Sequence, residues 1–135
     1  MARGAMFAVA IVISLTALSC GGMKGEFGFK MFGQDTYRHA TGTPEFPADE
    51  EIAWVYHFHK KYGEREIGVV YQKKELVWIE VFSRSERIDN TNRTIYGSIK
   101  GLSPGEYRII LTETHDDNRL VGSADFIIYE REEEE

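Results

Sequence analysis

The chain predicts a single antiparallel β-sandwich of about seven strands, and three observations carry that expectation. Aromatic residues make up 13% of it, eight Phe, seven Tyr and two Trp, and aromatic side chains fit a pleated, half-buried surface. From Phe46 onward apolar residues recur with period two, and no segment sustains the 3.6 period of a helix. The length of 135 residues suits one domain rather than two.

The first twenty residues, MARGAMFAVAIVISLTALSC, stand apart. Arg3 gives a positive start, and Ala5 to Leu18 is an uncharged apolar stretch. Fourteen residues fall short of the about twenty that a helix needs to cross ~30 Å of hydrocarbon. Length and flanks fit the h-region of a signal peptide. Thr16-Ala17-Leu18-Ser19 before Cys20 resembles the lipobox of bacterial lipoproteins, with Ala17 where that motif most often has Leu. The resemblance implies a signal peptide over 1–19, cleavage before Cys20 and lipid on its sulfur, with fatty acids such as palmitate. Two or more chains, at about 0.8 kcal/mol per buried CH₂, anchor durably where one does not. By resemblance to enteric lipoproteins, Gly21 rather than Asp after the cysteine implies the outer membrane, with the body facing periplasm or cell surface. Cys20 is the one cysteine of the chain, so no internal disulfide forms and stability rests on the core.

Residues 20–45 read as a lipidated Cys and tether, because six glycines fall between 21 and 45 with no sustained period. Phe27 and Phe29 alternate and Phe32 follows, so residues 26–37 are open to an edge strand as well. The sandwich is expected over 46–130. Ile52, Trp54, Tyr56 and Phe58 share one face of a strand. Lys60 to Glu64 is a turn. Ile67, Val69 and Tyr71 alternate along Glu66 to Gln72. Leu76 to Phe82 is apolar on both faces, which predicts an interior strand or one capped by a partner. Ser83 to Asn92 reads as a polar turn, and Thr94 to Ile99 as the next strand. Gly105 to Thr114 and Leu120 to Glu130 close the domain around a tip at His115-Asp116-Asp117-Asn118-Arg119. Residues 131–135 are an acidic, solvated tail.

Leu102-Ser103-Pro104-Gly105-Glu106-Tyr107 resembles the corner before the F strand of fibronectin type III and other immunoglobulin-like domains, one residue shorter than its commonest form. Leu102, Pro104, Gly105 and Tyr107 match that corner, and the resemblance implies that the Tyr107 hydroxyl turns back to the chain. It implies a fold and no function.

Composition and motifs narrow the chemistry. A net charge of −6, or −7 once Arg3 leaves with the leader, argues against nucleic acid, which needs a basic surface. His57 and His59, at i and i+2, point to one side of a strand and are the best metal candidates. A zinc site wants three or four ligands, and the spacing places neither His115, Asp116 nor Asp117 beside them. No metal or cofactor is therefore expected. Asp116-Asp117-Asn118 lacks the oxygen spacing of an EF-hand loop. No Gly-x-Ser-x-Gly elbow or phosphate loop occurs, so an enzyme is not expected. Trp78 reads as a core residue, with a partner contact as its alternative. The function expected is a membrane-anchored, non-catalytic interaction module for an envelope or extracellular protein. The alternative is a periplasmic metal or small-ligand binder using His57 and His59.

Overall fold

The computed structural model describes residues 23–31, 36–39, 42–115 and 117–132. The leader, Cys20, Phe32, Asp116 and the end of the acidic tail lie outside them. The described residues form nine strands and no helix. They are β1 (Gly25–Met31), β2 (Arg38–His39), β3 (Glu45–Pro47), β4 (Ile52–Phe58), β5 (Arg65–Lys74), β6 (Trp78–Ile88), β7 (Thr94–Ile99), β8 (Gly105–Glu113) and β9 (Arg119–Tyr129). Two sheets result, ordered β2-β1-β4-β7 and β3-β9-β8-β5-β6. Every pairing is antiparallel except the three-residue match of β3 to β9.

The core is the period-two pattern made solid. Ile52, Trp54, Tyr56 and Phe58 from β4 meet Ile67, Val69 and Tyr71 from β5, and Tyr107, Ile109 and Leu111 from β8. Trp54 and Phe58 are wholly buried. Buried polar tips have partners, as burial demands. Trp54 Nε1 donates to the Tyr71 hydroxyl at 2.9 Å, which donates in turn to the Ser98 carbonyl at 3.4 Å. The Tyr107 hydroxyl turns back and donates to the Ser103 carbonyl at 2.6 Å.

Two segments differ from the sequence expectation. The first is the glycine-rich stretch, expected to be a tether but left open to an edge strand over 26–37, and it is the strand that forms. β1 pairs with β4 along its whole length, from Gly25 opposite Phe58 to Met31 opposite Ile52, and Phe29 is buried. Gly25 is there for closeness: an added Cβ would fall 2.4 Å from the His57 carbonyl oxygen and 2.7 Å from the Tyr56 ring. With β2 and β3 this raises the strand count from about seven to nine.

The second is the apolar run at 76–82. Leu76 and Val77 form the turn after β5, and β6 starts at Trp78 and continues to Ile88, through residues expected to be a loop. It is an edge strand, with β5 its one neighbour in the sheet. The register runs Tyr71 opposite Phe82 and then Gln72 opposite Glu80, leaving Val81 as an extra residue. Such a bulge flips the alternation. Ile79 and Phe82 therefore share the inner face although their spacing is odd, and the strand looks apolar on both faces without being interior.

Candidate functional site: the β5–β6 hairpin and its open flank

The β5–β6 hairpin ends in Lys73-Lys74-Glu75-Leu76-Val77. Its turn is closed by Glu75 N–H donating to the Val77 carbonyl at 2.9 Å. Lys73 Nζ donates to Ser103 Oγ at 2.9 Å, tying the hairpin base to the corner loop before β8. Beyond that fixed base Leu76 is fully exposed, and Val77 is 67% exposed. Ile79, Val81 and Phe82 continue the strip, each about half-exposed. Leu76 and Val77 thus form an apolar patch in water at a constrained turn.

Trp78 is neither a core residue nor a free one. Across from Lys74 on the outer face of its sheet, its ring lies under the Arg108 guanidinium, 4.0 Å from the ring centroid. Arg108 is held there by Asp125, at 2.7 Å from Nε and 3.2 Å from Nη2, and the hydrogen bond raises the guanidinium pKa further. Charge over a ring stabilises by ~0.5–1 kcal/mol at exposed sites, so the indole is a braced base for the tip.

Behind the strip, β6 and β7 leave the flank of the sandwich open. A cleft of about 440 Å³ lies there, lined by Tyr71, Phe82, Arg84, Tyr96, Gly97 and Ser98. Arg84 crosses it, donating to the Tyr96 carbonyl at 2.8 Å and pairing with Glu86 at 2.6 Å. Tyr96 is 61% exposed. The sequence reading passed over Arg84, Phe82 and Tyr96. The signal for Tyr96 was present: Ile95 and Ile99 face the core, so Tyr96 must face out. A second cleft of about 500 Å³ lies on the opposite flank, lined by Glu26, Phe27, Tyr56, Ser123 and Asp125 among others. Tyr56 reaches across to the Val121 carbonyl at 3.5 Å. Burial, and then the charge of Tyr62, push its pKa up to about 12.

The other sequence candidates do not converge. His57 and His59 are both exposed, and His57 Nδ1 sits 2.8 Å from Thr94 Oγ1. Among the described residues no three His, Cys, Asp or Glu side chains gather where a metal could sit. His115 lies at the β8–β9 tip, where Asp117 and Asn118 adopt the left-handed φ of 50° and 54°, as short polar residues in turns do. No histidine lines either cleft.

Fold and surface together define an all-β, two-sheet domain with an exposed apolar tip. No family model matches the chain, and no curated protein is significantly similar to it. Among solved structures it is similar to the PmoD soluble domain from Methylocystis sp. ATCC 49242 (Rockwell), with a TM-score of 0.52 at 10% identity, over 76% of this chain and 90% of that one. That likeness is one of fold.

Proposed function

We propose that the chain is a bacterial lipoprotein, held to a membrane through lipid on Cys20, whose sandwich is a non-catalytic module that binds another cell-envelope or extracellular protein. The observation that carries this reading is the tip at Leu76 and Val77, apolar, exposed and braced from behind. Its position adds support. The chain enters the fold at Met23 and Lys24, where the Lys24 carbonyl accepts from His59 N–H at 2.9 Å, beside the start of β5. The tip stands at the other end of β5, roughly 30 Å away for ten extended residues. A lipid at Cys20 would hold one end of the sandwich and present the apolar end outward.

The sandwich itself we read as immunoglobulin-like, of the fibronectin type III kind. Support comes from the order β1-β4-β7 facing β9-β8-β5-β6, which matches the A-B-E and G-F-C-C′ sheets of those domains, and from the Tyr107 corner.

The test is site-specific photo-cross-linking of the full chain in intact cells, with the photoreactive side chain at Leu76, at Val77, or at Lys61 near the entry end. The two tip positions are expected to capture one recurrent protein that Lys61 misses. Capture of only abundant bystanders, alike from all three positions, contradicts the reading.

A further inference from the structure

The far half of β6, Phe82-Ser83-Arg84-Ser85-Glu86-Arg87-Ile88, is complementary to itself read backwards. Its faces are fixed by its pairing with β5. Phe82, Arg84, Glu86 and Ile88 lie opposite Tyr71, Val69, Ile67 and Arg65, on the inner face. Ser83, Ser85 and Arg87 lie opposite Val70, Gly68 and Glu66, on the outer one. An antiparallel neighbour sets like faces opposite each other. If the neighbour is the same segment, pairing about Ser85 sets Arg84 against the mate's Glu86, and Glu86 against its Arg84. It also sets Phe82 against Ile88, Ser83 against Arg87, and Ser85 against itself. Shifting the centre to Arg84 or Glu86 stacks like charge on like charge. Centring on Ser83 or Arg87 leaves neither inner charge facing its opposite. Ser85 is the one centre within this segment that satisfies both.

We infer that β6 pairs with β6 of a second copy about Ser85, joining two five-stranded sheets into one of ten. Three further observations support that occupant. Residues 82–88 hold no Pro and no Lys, the usual guards of a sheet edge, and the bulge at Val81 lies just outside them. Arg84 is already pinned by the Tyr96 carbonyl and Glu86, so its charge is placed before a mate arrives. Phe82, half-exposed in one copy, is covered at the seam, while the mate's Ile88 opposite it is already buried within its own copy. The dyad is perpendicular to the joined sheet, so both four-stranded layers, each carrying its β1, lie on the same side of it. The two entry ends at Lys24 then lie at opposite ends of the joined sheet, as do the two tips at Leu76. A paired form therefore lies along a membrane with its tips at the sides, and the outward tip of the proposed function belongs to the unpaired chain. The pairing uses residues outside the tip and stands whether or not lipid is attached at Cys20.

The test uses full-length chains carrying two different tags, co-expressed and solubilised together. The wild-type forms are expected to co-purify. Arg84→Glu alone and Glu86→Arg alone each set like charges opposite and lose co-purification with themselves. Arg84→Glu mixed with Glu86→Arg restores it, a rescue that misfolded variants cannot give. Under mild oxidation Ser85→Cys cross-links into a covalent pair, with the unsubstituted chain and its Cys20 as the blank. Ser83→Cys does not, because the two 83 positions stand four residues, about 13 Å, apart. Absence of wild-type co-purification, failure of the mixed variants to rescue, or equal cross-linking from 83 and 85 overturns the inference.

Discussion

Trp54 occupies the space that any side chain at position 97 would need. A Cβ on Gly97 would come within 2.3 Å of the indole, and that indole donates to Tyr71. Gly97→Ala is expected to lower stability by about 1–3 kcal/mol, the usual cost of overpacking, measured as a lower midpoint in urea at unchanged slope. Tyr56 sets a pH limit. Its folded pKa of about 12 lies above the ordinary value of 10, so the unfolded chain releases this proton first. The stability it contributes is whole below pH 10 and is lost as pH climbs from 10 towards 12. Thermal melts across that window should show the fall, and Tyr56→Phe should flatten it. At this scale the sequence was informative about which residues are buried: Ile52, Trp54, Tyr56 and Phe58 announce themselves by alternation alone. It was silent on partners such as Trp54 with Tyr71, or Gly25 with Tyr56, because those contacts depend on which strands become neighbours.

Strand β6 shows why an element can be misread while its residues are read correctly. One extra residue at Val81 moves Ile79 and Phe82 onto the same face, so an edge strand imitates a buried one. β1 was obscured by its glycines, of which Gly25 admits the Tyr56 ring closely and Gly28 lies against Val55 and Tyr37, so that they serve packing rather than loosen the chain. The corner at Leu102 to Tyr107 was legible because its sequence is local and the hydroxyl reaches back only four residues, to Ser103. The exposed tip was half legible. Its composition stood out, but its exposure follows from β6 lying at the end of a sheet. Since Leu76 and Val77 pack against little, Leu76→Asp with Val77→Asp is expected to leave stability within about 0.5 kcal/mol of wild type. The same double variant should abolish recurrent capture from a photoreactive group at Ile79. A large drop in melting temperature would show the tip to be structural instead.

The whole molecule is polar in its layout. The chain enters beside His59 and Tyr62, and the apolar tip lies at the far end of the β5–β6 hairpin. That layout acquires a purpose only if the entry end is fixed to something. The proposal fixes it with lipid on Cys20, which would turn a freely tumbling sandwich into one with a membrane side and an outward side. Labelling cells that express the full chain with a traceable palmitate, then washing their membranes in salt, tests this most directly. The proposal predicts label on the wild-type chain, retention in the washed membranes, and loss of both in Cys20→Ser. A wild-type chain that carries no label and leaves the membrane in the wash would contradict it.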